Sequence, residues 1–442
     1  MLNTRSLWIG LMVAVVFAVG LTLRFIMVTE SGTYNQIQWE DTSDYYFYAY
    51  NLSRHGVYSR QRDTGEKPLP DAKRSPGYPL FLIPHMWGEE KTFLEMADNV
   101  SVTQVMLSAL TLLIALVFFR GFLSWPLALG GGMLLAISPH LITINANVLT
   151  ETVFTFFLVL FAFLFRMMIN HRYWQWALAA GMVFGCALLV RPTLQYFLFF
   201  LLPFLGICLG RRDAIRLGGF LLLGFVLCYG PWMARNQITP GLQRGPSLAT
   251  ISVHKGMYPS LMYKDDPRTY GFPNHFDPQF AQRGTMSAVV DEVIERLKSE
   301  PVNYLQWYIV GKPSMLLSWG IVVGKGDIYI YPLRSSPYQD NVVFQFTREL
   351  MRLIHWPIVT LALFAALFVW TGRSRALLAD NYLVVARFSS LVLAYFILVH
   401  IAGTPLPRYA IPIKPIIFGL ALLGLQLSYE TVRGYLKSRP AV

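Results

Sequence analysis

Charge is what this chain has least of: only 14% of its 442 residues are Asp, Glu, Lys or Arg, against about 25% in soluble domains. With 54% hydrophobic residues and a mean hydropathy of +0.44, that scarcity excludes a soluble domain of this length. Cysteine is nearly absent too. Its three copies, Cys186, Cys208 and Cys228, lie inside apolar runs, which excludes a disulfide framework and a zinc-spaced cluster. The eight histidines are scattered, and neither a Walker-type phosphate loop nor a Gly-x-Ser-x-Gly elbow is present. Acidic residues are outnumbered 25 to 37, giving a formal net charge of +12. The basic residues gather at the ends of apolar runs and no recognition-module motif accompanies them, so membrane orientation and lipid phosphates explain the excess better than nucleic acid does.

What is present is a series of apolar runs about 20 residues long, the length that crosses a hydrocarbon core of about 30 Å. They lack the two-residue alternation of a barrel strand, and lipid offers the backbone no outside partner, so the expected class is an all-α polytopic membrane protein. Ten crossings are predicted, at 7–28, 101–119, 126–144, 151–169, 174–190, 194–209, 217–234, 352–370, 381–401 and 411–429. The first follows Arg5 and lacks a small-residue cleavage site, so it reads as a retained anchor. With the N-terminus inside, the short cytoplasmic connections carry Arg120, Arg166, Arg172, Arg211, Arg212, Arg216, Arg373 and Arg375, and the C-terminus carries Arg433, Lys437 and Arg439. This obeys the positive-inside rule. The same parity places 29–100 and 236–350 outside as two large ordered loops. Three regions follow: a transmembrane core at 1–235 containing the first outer loop, a second outer loop at 236–350, and C-terminal helices at 351–442. Segment 303–323 is apolar but contains Lys312 and Pro313; a full crossing there would invert the parity, so it is expected to be interfacial or re-entrant.

Ionisable groups at membrane depth are costly and mark function or indispensable structure. Here they lie at one end of the crossings, the outer one: Arg24, Glu151, Arg191, Arg235 with Asn236, and Arg408 with Tyr409. Asp41 and Asp44 stand in the first outer loop before an aromatic amphipathic segment, Tyr45 to Leu52, that should lie on the membrane surface as a helix. Asp44 also reads as an ordinary N-cap of that helix, whereas Asp41 has no such local explanation. In Arg74-Ser-Pro-Gly-Tyr-Pro, Pro and Gly fix a turn that holds Arg74 near headgroup depth, ready to meet a phosphate or to snorkel to lipid. Glu151 reads either as a site residue or as a first-turn acid after a Thr150 cap. Arg191-Pro192 and Pro231 to Asn236 read equally well as helix-end punctuation.

Taken in order, these elements resemble membrane glycosyltransferases of the C-type superfamily, GT-C, in the branch of lipid A aminoarabinose transferases and protein O-mannosyltransferases. The resemblance rests on Asp41-Thr-Ser-Asp-Tyr-Tyr-Phe-Tyr-Ala-Tyr-Asn-Leu, on Arg74-Ser-Pro-Gly-Tyr-Pro-Leu-Phe-Leu, and on Leu149-Thr-Glu-Thr. Arg191-Pro192, Pro231-Trp232 with Arg235-Asn236, and Arg408-Tyr409 with Pro412 are similar to later landmarks of the group, so the likeness spans about 24–415. One departure stands out. The adjacent Asp-Glu pair of many members is here Asp41-Thr, with Asp44 three residues on, which puts Asp44's share in catalysis in question.

The resemblance implies an inverting glycosyltransferase that moves a sugar from a polyprenyl-phosphate donor to a glycolipid, glycan or protein acceptor at the outer face of a bacterial inner membrane. A phosphate leaves readily, so one carboxylate suffices as general base, unlike the pair of a glycoside hydrolase. Asp41 is the expected base, with Asp44 and Glu151 as further catalytic acids. Arg74, Arg235, Lys312, Arg408 and Tyr409 are expected to bind the donor phosphate. The segment from Trp307 to Trp319, with the interfacial helices of the first loop, is expected to cradle the isoprenoid tail. No cofactor and no metal is expected, following the metal-independent branch. Membrane lipids are expected partners; nucleic acid is not. Two alternatives stay open: a transporter or flippase of a lipid-linked saccharide, against which stand the large outer loops and the lack of repeated halves, and a glycan ligase or polymerase using a lipid-diphosphate donor.

Overall fold

Lipid leaves a backbone no hydrogen-bond partner but itself, and the apolar runs of this chain accordingly close into helices. The computed structural model describes residues 4–437 except 63, 64, 66, 88–91, 244, 246, 281–283, 323 and 324. Arg439 and the side chains of Arg5 and Lys437, part of the charge pattern that set the orientation, lie outside the described residues. In chain order, α1 (Thr4–Glu30) leads to the first loop helices α2 (Glu40–His55) and α3 (Gly77–Leu82). The bundle continues with α4 (Phe93–Phe119), α5 (Trp125–Ile137), α6 (Pro139–Thr143), α7 (Glu151–His171), α8 (Trp174–Val190), α9 (Leu198–Cys208) and α10 (Arg211–Ile238). The second loop carries α11 (Leu248–Gly256), α12 (Met286–Ser299), α13 (Pro301–Gln306), α14 (Lys312–Leu316) and α15 (Pro337–Asp340). The chain closes with α16 (Val342–Leu353), α17 (His355–Phe368), α18 (Ser374–Leu377), α19 (Asp380–Ala402), a 3-10 helix at Pro407–Ile413, and α20 (Lys414–Lys437).

Among the described residues six helices are long and apolar enough to cross a membrane, two bent pairs raise the number to eight, and α8 and α9 are shorter apolar helices. These ten segments fall where the ten crossings were predicted, and the protein is an integral multi-pass membrane protein. The details differ. α9 has 11 residues, a length of roughly 16 Å, so the crossing expected at 194–209 reaches only about half-way through the core. α4 starts eight residues before the expected 101, because Thr92 and Glu95 form a reciprocal capping box. The crossing expected at 126–144 is bent by 54° where α5 meets α6, and α16 meets α17 at 46°.

The first bend explains Arg24. Pro139 has no N–H to give the Leu135 carbonyl, and the extended Ser138 ends α5 so that the Ala136 carbonyl also lacks a next-turn donor. The Arg24 guanidinium supplies them, donating to Leu135 O at 2.9 Å and Ala136 O at 3.0 Å, with Ser108 Oγ and Gly20 O taking its other protons. Arg24, only 1% exposed, is therefore a staple inside the bundle and does not face the two large loops as its position suggested.

Above the bundle the two loops interlock. Gly32–Thr33 and Leu333–Ser335 form a short antiparallel ladder, and Gln36 holds the first loop to the α6–α7 connection through Ala146 O and Val148 N. Within 303–323 the chain runs as α13, a five-residue π-helical turn Trp307–Gly311, and α14 as far as Leu316, and among the described residues none of it is a crossing candidate. Its exposed apolar face is made by Val302, Leu305, Ile309 and Val310, while Trp307 faces inward and donates to Gly256 O.

Candidate active site

Three carboxylates and their cations meet where the first loop, the tops of α7 and α8, and the 3-10 helix converge. α2 opens with Glu40 and Asp41 in its first turn, where acids complement the helix dipole, and Trp39 is the cap residue. Asp44 thus sits a turn inside the helix, not at its N-cap. Buried to 9% side-chain exposure, its carboxylate accepts from Arg74 Nε at 2.9 Å and lies 3.5 Å from Arg60 and 3.6 Å from Lys73. Lys73 also bridges to Glu40 at 2.9 Å.

Arg74 reaches this point because of the turn after it. A Cβ on Gly77 would lie 2.6 Å from the Leu189 carbonyl carbon, so only glycine lets α3 rest directly on the end of α8. Tyr78 then anchors the turn by donating to Gln104 Oε1 at 3.0 Å. Glu151 is the first residue of α7, and Thr150 before it makes no side-chain cap. Fully buried, Glu151 Oε1 accepts from Arg408 Nε at 2.6 Å and from Arg191 at 3.0 Å, which sets aside the reading of a mere first-turn acid.

Asp41 joins the two halves. Its Oδ1 takes Arg74 at 2.8 Å and its Oδ2 takes Arg408 at 2.9 Å. The three acids differ in access: Asp41 keeps 30% side-chain exposure, Asp44 9% and Glu151 none. Burial opposes ionisation of Asp41, but Arg74 and Arg408 outweigh it and hold its carboxyl well below the usual carboxylate range. Five paired cations, Arg60, Lys73, Arg74, Arg191 and Arg408, stand against four carboxylates, Glu40, Asp41, Asp44 and Glu151. Within these ion pairs the cations outnumber the carboxylates by one.

The other candidates divide. Tyr409 lies with its ring 4.6 Å from the Arg191 guanidinium, at the edge of the cluster. Arg235 serves the segment leading to Arg74 instead: it donates to Asp71 O and Tyr58 O and sits over the Tyr58 and Trp232 rings. Lys312 is not brought to the carboxylates. Its ammonium donates to Ile401 O at 2.7 Å and Gly403 O at 3.0 Å, tying α14 to the end of α19. Lys73, Arg60 and Lys255 were missed by sequence reasoning. Lys73 adjoins Arg74 and was within reach of that motif, whereas Arg60 and Lys255 lie in no recognisable pattern. Among the described residues no group of three or more His, Cys, Asp or Glu is arranged to hold a metal ion.

The sequence profile of the dolichyl-phosphate-mannose-protein mannosyltransferase family matches residues 91–232, about a third of the chain. The fold is similar to that of archaeal oligosaccharyltransferases. One is AglB from Archaeoglobus fulgidus in complex with an inhibitory peptide and a dolichol-phosphate (TM-score 0.50, 12% identity, 98% of this chain and 52% of that one). A second structure of the Archaeoglobus fulgidus enzyme, tethered to an acceptor peptide containing the NVT sequon, gives a TM-score of 0.52 at 11% identity, covering 97% of this chain and 50% of that one. The chain thus spans about half the length of these proteins. ArnT from Cupriavidus metallidurans bound to undecaprenyl phosphate aligns at a TM-score of 0.39 and 14% identity, over 97% of this chain and 79% of that one. No curated protein matches the sequence. The likeness in fold is thus to these membrane oligosaccharyltransferases, and residues 91–232 are similar in sequence to the mannosyltransferase family.

Proposed function

We propose that the chain is an inverting transferase that takes a sugar from a polyprenyl-phosphate donor and passes it to an acceptor at the outer face of the membrane, with Asp41 as general base. One observation carries this reading: Asp41 is the most accessible of the three clustered acids and binds a different arginine through each oxygen. The matched family's description names a sugar donor on a lipid phosphate, in keeping with the guanidinium groups of Arg74 and Arg408 gathered at Asp41.

In the free protein Asp41 is a weak base, since two guanidinium groups stabilise its charge. An incoming phosphate competes for those same groups. As Arg74 and Arg408 swing part of their hydrogen bonding to phosphate oxygens, Asp41 regains basicity and can take the acceptor's proton. Attack opposite the departing phosphate inverts the anomeric carbon. Asp44 and Glu151 act through the arginines: Asp44 orients Arg74, Glu151 orients Arg408 and Arg191, and both keep those side chains from following the phosphate out. Arg235 and Lys312 hold the surrounding backbone.

The test is incubation of purified protein with radiolabelled polyprenyl-phosphate sugars, following loss of label from the lipid fraction. Transfer or slow hydrolysis of one donor is expected, and Asp41→Asn should lower its rate by about 10²- to 10⁴-fold while the protein purifies and unfolds as the parent does. An Asp41→Asn protein of full activity removes Asp41 as the base; movement of intact donor across vesicles without cleavage favours the transporter alternative.

A further inference from the structure

Every cation in direct contact with the carboxylate cluster is already neutralised in part by an acid. Arg74 holds Asp41 and Asp44, Arg408 holds Asp41 and Glu151, Arg191 holds Glu151, Lys73 holds Glu40 and Asp44, and Arg60 faces Asp44. Lys255, on the last turn of α11, differs. Among the described residues its ammonium makes no ion pair and no hydrogen bond, and rests only on the face of Phe272, 4.6 Å from the ring centre. It is half-buried, and close enough to the cluster to feel Asp41 and Glu40 as attractive charges and Arg408 as a repulsive one.

Its position is built into the fold. α11 ends against the turn that leads into Arg408: a Cβ on Gly256 would lie 2.0 Å from Gly403 O, and Ser252 and Thr404 exchange hydrogen bonds beside that contact. The second loop is thereby fastened one residue from Lys255 and a few residues before Arg408. On the same helix the neighbouring His254 turns the other way, to Asp277. Lys255 is thus held at the cluster by main-chain contact, with a cation that no acid neutralises.

Resting on the reading above, we infer that Lys255 is the residue that meets the negative charge gained by the departing phosphate. In the transfer, the bond from the anomeric carbon to phosphate breaks with its electron pair going to the phosphate oxygen, the acceptor oxygen bonds to that carbon, and the acceptor's proton goes to Asp41. The lipid phosphate changes from a diester with one negative charge to a monoester that gains a second. Arg74 and Arg408 balance the charge already there in company with their acids. The additional charge, which exists only as the bond breaks, falls to the ammonium that has no counter-ion, and a fixed cation aimed at developing charge accelerates the step itself.

Burial pushes the Lys255 ammonium down to about 8, with Arg408 adding to the effect and Asp41 and Glu40 opposing it. Its charge is therefore lost as pH rises through about 8, well before an ordinary lysine's would be, and the transfer rate should have an alkaline limb there. Lys255→Met should lower kcat by about 10²-fold, leave donor KM within about twofold, and weaken inhibition by polyprenyl phosphate, the product, far more than binding of the donor. Lys255→Arg should restore much of the rate and move the alkaline limb upward past pH 10, since a guanidinium stays protonated. A Met variant with parental kcat, or an Arg variant whose limb stays near 8, overturns the inference. If the parent protein cleaves no polyprenyl-phosphate sugar, the proposed reaction itself has failed. Binding of undecaprenyl phosphate to parent and Met variant in detergent then decides Lys255 by itself: weaker binding by the variant upholds its phosphate role, and equal binding or none ends it.

Discussion

Two arginines near the loop-bearing ends of the helices, Arg24 and Arg408, look alike in sequence and have opposite surroundings. Arg24 is surrounded by neutral acceptors, three carbonyls at 2.9, 2.9 and 3.0 Å and a hydroxyl at 2.7 Å, none of them free to leave. Arg408 is shared between two carboxylates, one fully buried and one 30% exposed. A guanidinium satisfied by main-chain carbonyls has no reason to rearrange when an anion arrives. One held by a partly exposed acid can exchange that acid for a phosphate. The partners of a buried charge, more than the charge itself, separate a structural staple from a working site.

The largest effect should come from breaking the staple. Arg24→Met leaves the Leu135 and Ala136 carbonyls without donors in a buried place, at a cost on the order of 3 kcal/mol or more. The expected outcome is a markedly lower thermal unfolding midpoint in detergent, with the protein that remains folded still active at close to parental rate. Glu151→Gln should do the reverse. Volume and an acceptor oxygen survive, but Arg408 and Arg191 lose their shared charge partner, so activity should fall by about 10- to 100-fold with a smaller loss of stability. Equal damage to stability from both variants would erase the distinction drawn here.

A subtler difference should appear with pH. The folded state holds Asp41 well below an unfolded aspartate's value near 3.9. Its ion pairs therefore contribute their full stability above about pH 4, and the contribution is lost as pH falls through the depressed folded value. Measured against Asp41→Asn, the parent's unfolding midpoint should exceed the variant's by a constant margin from pH 5 to 8, and the margin should shrink below pH 4. A margin that shrinks already at pH 6 would mean that Arg74 and Arg408 do not hold the acid as the geometry indicates.

Much of this was legible in the residues. Apolar run length located all ten apolar helical segments among the described residues, and the polar residues Asp41, Asp44, Arg74, Glu151, Arg408 and Tyr409 at one end of them do come together. What hydropathy misses is geometry. It cannot distinguish the half-length α9 from a full crossing, because Leu and Phe continue on either side of the break, and it passed over the early start of α4, whose signal was the Thr92 and Glu95 cap. Arg24 was misplaced because its partners are carbonyls freed where α5 ends before Pro139, over 100 residues away. Lys312 likewise pairs with the main chain of a distant helix end. Lys255 had no local signal: a lone lysine in an apolar stretch acquires meaning only once the loop carrying it is fastened beside Arg408.

One seam of the bundle has a consequence for traffic. At Gly181 and Gly224, α8 and α10 approach so closely that an added methyl would stand 2.0 and 2.1 Å from the carbonyl oxygens of Leu221 and Leu178. Main chain lies against main chain there, leaving no gap that an isoprenoid could thread. The proposed long-tailed donor would therefore have to reach the carboxylates from another flank, with α8 and α10 forming a closed wall behind them.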